Sequence, residues 1–203
     1  MRNLKKLAVL LTAVMTIGIF AGCTATNKPS EPVATSTPSK SAEPEKLSII
    51  LGTNAEFPPF EFVSDKGEID GFDIALMKAV AKEIGADIKI ENMEFKSLIA
   101  SIETGKINLI AAGMTITDER KQSVDFSTPY YEATQKIILR KDDTSIKTKE
   151  DLEGKKIAVQ EGTTGDTYVT DKIKGTKVSR FKKGVDAVMD LKNKRVDAVV
   201  IDK

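Results

Sequence analysis

The sequence predicts an α/β protein with two lobes, each built on a mainly parallel sheet with flanking helices. Short apolar runs typical of buried strands alternate with segments of helical periodicity, and the alternation restarts after a long extended stretch, "YYEATQKIILRK". The charge also changes there: residues 46–136 carry 10 basic and 15 acidic side chains, and residues 137–203 carry 16 basic and 12 acidic ones. Strands that alternate with helices indicate βαβ units and parallel sheets.

The first half contains two predicted helices and three predicted strands. Apolar residues at helical spacing predict a helix over Phe72 to Gly85, with Asp73 as its N-cap and Gly85 as its stop. A second amphipathic helix, "FKSLIASIETG", ends at Gly105. The strands are "LSIILGT" (Leu47 to Thr53), "ADIKIENM" and "INLIAAG" (Ile107 to Gly113).

The second half repeats the pattern, with strands "KKIAVQ", "KVSRF" and "RVDAVVID" and helices "TGDTYVTDKIKG" and "VDAVMDLKNK". We therefore expect a first lobe at 46–138 and a second at 139–203, connected near Lys136 to Lys141. Small ligands favour the crevice between such lobes, at the carboxyl ends of parallel strands. The sequence ends one residue after an apolar strand that needs cover on both faces. We therefore expect a C-terminally truncated chain that lacks its return to the first lobe.

The N-terminal segment has the pattern of an export signal. A basic start, "MRNLKK", precedes an apolar stretch of 14 residues, which is short for a membrane span. It runs into "IFAGC", which resembles a bacterial lipobox and implies cleavage before Cys23 and lipid attachment to its sulfur. An ordinary signal peptide with a chance cysteine is the alternative. We expect a lipoprotein signal peptide at 1–22 and a disordered tether at 23–45, with the protein outside the cytoplasm and anchored to the membrane by lipid.

Composition and motifs exclude several function classes. The chain has no histidine, which excludes histidine-based acid–base catalysis and histidine-ligated metals. Its 31 basic and 30 acidic residues are balanced, unlike those of a nucleic-acid-binding protein. The sequence has no G-x-S-x-G, H-E-x-x-H or C-x-x-C motif, and Gly105-Lys106 lacks the phosphate-loop pattern. We expect a protein that is not an enzyme and that uses no catalytic residue, cofactor or metal.

The segment "AAGMTITDERKQ" places a cation, Arg120, in the first turn of a predicted short helix. That end of a helix favours acids such as Asp118 and Glu119, and it disfavours cations. A free amino acid carries a carboxylate and an ammonium, and recognising both takes a bidentate cation, N–H groups and a carboxylate. Arg120 is a candidate for that cation, with Thr115 supplying a hydroxyl and an N–H. The alternative is an ordinary surface arginine.

Five segments between Leu47 and Asp202 resemble, in order, the polar amino acid-binding proteins of ABC importers, the bacterial extracellular solute-binding proteins of family 3. They are "LGTNAEFPPFEF", "GEIDGFDIALMKAVAKEIG", "AAGMTITDERKQSVDFSTPYY", "IAVQEGTTGD" and "DAVVID", and the third contains the most specific pattern. The resemblance implies a two-lobed, periplasmic-binding-protein-like (type II) fold that closes by a hinge motion around a polar L-amino acid. It also implies delivery to the membrane subunits of an ABC permease. We expect a monomer with no nucleic-acid partner.

The resemblance implies roles for single positions. Arg120 matches the arginine that binds the ligand α-carboxylate, and Asp202 matches the acid that pairs with the α-ammonium. Thr115 matches a hydroxyl that binds both groups, and Gly113 offers a carbonyl to the ammonium. Thr164 matches a backbone N–H donor to the carboxylate at a helix N-terminus. Thr164 as a simple N-cap and Asp202 as a solvated turn residue are the alternatives.

Other positions match contacts to the ligand side chain. Phe57 and Phe95 match two aromatic residues that sandwich it, and Asn54, Gln160 and Glu161 lie where relatives contact its far end. Core packing of the two phenylalanines and a solvated Glu161 are the alternatives. The amide of Asn54 favours an uncharged polar ligand such as glutamine or cystine, whereas the acidic first lobe and Glu161 favour arginine.

Two other functions fit the same scaffold. One is an enzyme, a dehydratase of the cyclohexadienyl type, which turnover of arogenate or prephenate would reveal. The other is the sensory ligand-binding domain of a receptor kinase.

Overall fold

The computed structural model describes residues 46–203. The predicted signal peptide (1–22), Cys23 and the predicted tether (23–45) lie outside the described residues. Within 46–203, no helix is both long enough and apolar enough to cross a membrane.

The first lobe is built on a three-stranded parallel sheet with the order β5-β1-β6. The central strand, β1 (Ser48–Thr53), pairs along its whole length with β5 (Asp87–Asn92). Strand β6 (Leu109–Ile110) pairs with the other side of β1. The predicted strand Ile107 to Gly113 is therefore much shorter than expected, and Ala112 and Gly113 line the cleft described below.

Two helices cover the faces of this sheet, α1 (Phe72–Glu83) and α2 (Leu98–Glu103). The pleat of β1 sends successive side chains to opposite faces. Leu51 packs in the cluster that contains α1, and its neighbour Ile50 packs in the cluster that contains α2. The nearly continuous apolar run of β1 is the pattern of a strand buried on both faces.

A small antiparallel sheet, which the sequence did not predict, precedes α1. Its strands are β2 (Glu56–Phe57), β3 (Glu61–Val63) and β4 (Ile69–Asp70), in the order β2-β3-β4. Gly71 joins it to α1 with a φ of 128°, and a Cβ there would lie 2.3 Å from the carbonyl oxygen of Phe60. Only glycine fits this junction.

The prediction that Asp73 caps α1 is wrong. The helix begins at Phe72 with Gly71 as its N-cap, and this glycine has no side chain that could accept a hydrogen bond from the first turn. Asp73 lies in the first turn, where an acid is favourable. Its carboxylate is fully buried and accepts hydrogen bonds from two distant donors, the backbone N–H of Gly113 (2.8 Å) and the hydroxyl of Tyr130 (2.8 Å).

The second lobe is built on a four-stranded sheet with the order β7-β10-β8-β9. Strands β8 (Lys156–Gln160), β9 (Lys177–Phe181) and β10 (Ala198–Asp202) are parallel. Strand β7 (Gln135–Ile138) pairs antiparallel with β10 at the edge. The chain thus enters this sheet at Gln135, before the expected boundary at residue 138. We call 46–134 the first lobe and 135–203 the second lobe.

Two helices, α3 (Thr164–Lys172) and α4 (Gly184–Lys192), cover opposite faces of the second sheet. Ala198 and Val200 of β10 pack in the cluster that contains residues of α3, whereas Val199 packs with residues of α4. The two preceding helices therefore supply the cover that both faces of this last strand need.

Candidate functional site

A cleft lies where the two lobes meet, at the carboxyl ends of β8 and β10. About 400 Å³ of space lies among its lining residues, its opening to solvent included. Of the ten residues that the resemblance matched to ligand contacts, eight line the cleft: Phe57, Phe95, Gly113, Thr115, Arg120, Gln160, Thr164 and Asp202. Asn54 is buried beside the cleft, and its Oδ1 accepts a hydrogen bond from Nε2 of Gln160 (2.8 Å).

Arg120 is held at the cleft by backbone carbonyls and an aromatic ring. The predicted helix is a single 3-10 turn (Arg120–Gln122), which carries little dipole to oppose a cation. Nη1 donates to the carbonyl of Thr115 (2.6 Å), Nη2 donates to the carbonyl of Gly162 (3.0 Å), and the guanidinium carbon lies 5.4 Å from the ring centroid of Phe95. Burial lowers the pKa of Arg120. A guanidinium has five N–H donors, so this anchoring leaves donors for a bound anion.

Asp202 lies at the end of β10, next to the start of α3. Nε2 of Gln135 donates to Oδ1 of Asp202 (2.7 Å) and to Oγ1 of Thr164 (2.8 Å). Burial raises the pKa of the Asp202 carboxyl, and the positive charge of Arg120 opposes this shift. Sequence reasoning missed Gln135. The feature that could have indicated its role is the register of β7 against β10, which places Gln135 opposite Asp202.

The N-terminus of α3 lines the cleft with Thr163 and Thr164. Thr163 is the N-cap, and its hydroxyl accepts a hydrogen bond from the backbone N–H of Asp166 (3.3 Å). Thr164 is the first helical residue, so the alternative that it serves as the N-cap is wrong. The first N–H groups of a helix have no partner within the helix and favour anions.

The two predicted aromatic residues approach the cleft from different parts of the first lobe. Phe57 stacks on Phe60 with ring centroids 5.6 Å apart and an interplanar angle of 17°. Phe95 lies against the Arg120 guanidinium. Gly113 has a φ of 54°, and a Cβ there would lie 3.4 Å from the Phe57 ring. Each ring keeps part of its surface exposed and also lines the cleft.

Two buried acids at the cleft were missed by sequence reasoning. Glu61, in β3, lines the cleft and is only 1% exposed, and Asp73 is 0% exposed. Burial, as the main cause, and the adjacent charge of Asp73 together raise the pKa of Glu61 to about 9. Within 46–203, Oε2 of Glu61 and Oδ1 of Asp73 have no hydrogen-bond partner. Either a proton held between the two carboxyls or a cationic group from a ligand would satisfy these oxygens.

Polar contacts join the lobes around the cleft. The amide pair Gln160–Asn54 and the Arg120–Gly162 hydrogen bond both cross between lobes. Gly162, with a φ of 79°, approaches so closely that a Cβ there would lie 2.9 Å from Cβ of Lys96. The structure is therefore a closed arrangement of the two lobes.

Three salt bridges also cross between the lobes at the rim. Glu161 does not line the cleft, and it pairs with Lys96 at 2.9 Å. Glu161 is partly exposed at the rim and is paired with Lys96. It is therefore neither free in solvent nor in contact with the cleft interior. The other two bridges have the opposite polarity, with the acid in the first lobe: Glu94–Lys182 (2.5 Å) and Glu56–Lys183 (2.6 Å).

Known proteins resemble this chain closely. It is 41% identical over 154 residues to ABC transporter arginine-binding protein 1 of Escherichia coli (strain K12), a match that covers 76% of this chain and 63% of the relative. It is 34% identical over 201 residues to the arginine-binding extracellular protein ArtP of Bacillus subtilis (strain 168), which covers 98% of this chain and 73% of the relative. The chain thus spans less than two thirds of the length of the E. coli relative.

A solved structure is also similar to this chain in its fold. The arginine-bound form of a truncated ArgBP from T. maritima is 52% identical and superposes with a TM-score of 0.74, covering 77% of this chain and 74% of that one. The prediction of a two-lobed, type II periplasmic-binding-protein-like fold is confirmed. The sequence pattern of one family matches residues 49–202, nearly all of the described chain. The chain therefore belongs to the bacterial extracellular solute-binding proteins, family 3.

Proposed function

We propose that this protein binds a polar L-amino acid in the cleft and delivers it to an ABC permease. The observation that carries the proposal is that Arg120 and Asp202, which have opposite charges, line the same cleft. Each hydrogen-bonds to neutral groups, the guanidinium to two carbonyls and the carboxylate to the Gln135 amide. Both charges are therefore available to the oppositely charged ends of an α-amino acid. The start of α3 adds N–H donors for the α-carboxylate.

The buried acids favour a cationic side chain, with arginine as the first candidate. No basic side chain of residues 46–203 pairs with Glu61 or Asp73, and a guanidinium would supply both charge and several donors. Two of the similar proteins are named for arginine binding. The amide pair formed by Asn54 and Gln160 is already satisfied internally. The Asn54 amide thus supports an uncharged ligand less than the sequence suggested, and we prefer arginine to glutamine or cystine.

Isothermal titration against arginine, lysine, histidine, glutamine and cystine tests this choice. We expect arginine to bind at least tenfold more tightly than glutamine, and Glu61→Gln to reduce that preference. Lys66→Gln, an exposed change in the loop between β3 and β4, serves as the control and should leave the preference unchanged. Glutamine binding more tightly than arginine would overturn the choice of a cationic ligand, though not the amino-acid site itself.

An enzyme on this scaffold is the second candidate, and the raised pKa of Glu61 is the observation that favours it. A carboxylic acid that keeps its proton at neutral pH can act as a general acid in a dehydration. Incubation with arogenate or prephenate, followed by ultraviolet absorbance of the aromatic product, tests this. Turnover without tight amino-acid binding would favour the enzyme.

For the whole protein we propose export by the signal peptide 1–22, lipid attachment at Cys23, and action as a monomer at the outer face of the cell membrane. The family match supports a location outside the cytoplasm. The lipobox-like segment supports the anchor. A sensory domain would bind the same ligand but would have no permease partner, so loss of amino-acid uptake on gene deletion separates the two roles.

A further inference from the structure

The buried acids Glu61 and Asp73 occupy different environments at the cleft. Asp73, in α1, accepts two hydrogen bonds at Oδ2, from the Gly113 N–H and the Tyr130 hydroxyl, both at 2.8 Å. Hydrogen bonds from fixed donors stabilise the ionised carboxylate. Glu61 lines the cleft, and its Oε2 has no partner within 46–203. Glu61, whose Oε2 lacks such a donor within these residues, therefore carries a proton in the unliganded protein, because two adjacent buried carboxylates do not both ionise.

Charged groups on neighbouring elements do not neutralise Glu61. On the flanking strands, Glu56 of β2 pairs with Lys183 at the rim, and the exposed Asp70 of β4 accepts the N–H of Gly71. The remaining titratable groups around the pair are Tyr130, which burial keeps neutral by raising its pKa, and Arg120 and Asp202 in the cleft. Arg120 is bound to carbonyls of Thr115 and Gly162.

We propose that binding of a cationic amino acid is coupled to the release of one proton from Glu61. The inference rests on the proposed function, since it requires a cationic side chain at Glu61. The change is balanced: the neutral carboxylic acid loses its proton to the solvent, and the carboxylate that remains pairs with the incoming cation. A ligand with an uncharged side chain leaves the proton in place. Glu61 thus distinguishes cationic from neutral ligands by its protonation state.

A consequence is a pH-dependent preference. Below the pKa of Glu61 in the free protein, each unit of pH increase should strengthen arginine binding about tenfold over the range from roughly pH 6 to 8. Glutamine binding should stay within about threefold over the same range. Because both ligands share the α-carboxylate and α-ammonium, the comparison cancels any titration of Asp202 and isolates the side-chain end of the cleft.

Titration calorimetry at pH 7 in phosphate and in Tris measures the coupling directly, because the two buffers have very different ionisation enthalpies. For arginine we expect release of about one proton per ligand bound, and for glutamine a value near zero. Glu61→Gln should abolish the release, and Glu68→Gln, an exposed acid in the loop that follows β3, should not.

Two results would overturn the inference, and they are distinguishable. Tight arginine binding with no difference between the buffers would show that Glu61 is already ionised, which leaves the proposed function intact. Failure of arginine to bind, with glutamine bound normally, would remove the cationic ligand and the coupling together. If Glu61→Gln does not fold, the wild-type buffer comparison and the pH series decide the question without it.

Discussion

Replacing Arg120 with lysine tests the most specific feature of the cleft. In the closed structure the guanidinium donates to two backbone carbonyls and lies against the Phe95 ring. A bidentate carboxylate would use two further N–H groups, which makes four donors in a plane. An ammonium has three donors and no planar fork, so it cannot make both pairs of bonds.

The expected loss of ligand affinity follows from this difference in the number of donors. At least one charge-assisted hydrogen bond disappears, and the ligand carboxylate is left partly unpaired in a desolvated site. Such a loss costs about 2–5 kcal/mol, which is roughly 30-fold to several thousandfold in affinity. The free energy of unfolding should fall by only about 1–2 kcal/mol, because lysine can keep one of the carbonyl contacts.

Isothermal titration with arginine measures the affinity, and thermal unfolding without ligand measures the stability. Lys121→Ala is the matched control, since Lys121 is the exposed neighbour in the same turn, and its affinity should stay within threefold of wild type. Asp202→Asn should cost about as much as Arg120→Lys, by leaving the ligand ammonium unpaired. If Arg120→Lys binds within threefold of wild type, Arg120 does not bind the carboxylate.

Three further predictions concern the rim, the junction before α1 and the N-terminus. Lys183→Glu should weaken ligand affinity about two- to fivefold, because it breaks the bridge to Glu56 that stabilises closure. Adding Glu56→Lys should restore the affinity, as calorimetric titration of the single and double variants would show. A double variant that binds no better than Lys183→Glu would exclude a direct pair. Gly71→Ala should lower the free energy of unfolding by more than about 2 kcal/mol, measured by urea denaturation, because its Cβ would collide with the Phe60 carbonyl; an unchanged midpoint would contradict this geometry. Cys23→Ser should move the protein from the membrane fraction to the soluble fraction on immunoblots, and full retention in the membrane would indicate an uncleaved signal anchor instead.

The main sheets were predictable because their central strands are nearly continuous apolar runs. Strand β1, with Leu51 and Ile50 on opposite faces, and β10, with Val199 and Val200, both show the pattern of strands covered on two sides. Among the helices, α4 shows the 3.6-residue apolar periodicity more clearly than α3, which is mostly polar. The β2-β3-β4 sheet was not predictable, because strands of two or three residues have no measurable period.

The family resemblance identified most of the residues that line the cleft. It did not identify Glu61, Asp73 or Gln135, which lie beside them. Glu61 and Asp73 are charged, and a charged residue is normally expected on the surface. Their burial depends on tertiary contacts, such as the hydrogen bond from the Gly113 N–H to Asp73 across 40 positions of the chain. Gln135 depends on the register of β7 against β10, which follows from the pairing of distant segments. Local propensity carries none of this information.

Burial of Glu61 lowers the free energy of unfolding of the unliganded protein at neutral pH. The unfolded chain ionises Glu61 near pH 4.5, whereas the folded protein keeps it protonated up to about pH 9. Between these values the folded state holds one more proton, so the free energy of unfolding decreases as the pH rises. At pH 7 the difference is on the order of 3 kcal/mol, a large fraction of the net stability of a domain. Replacing Glu61 with an apolar residue of similar size would thus stabilise the fold and remove the ligand's counter-charge. If the proposed function holds, ligand binding and the stability of the unliganded fold make opposite demands on this one side chain.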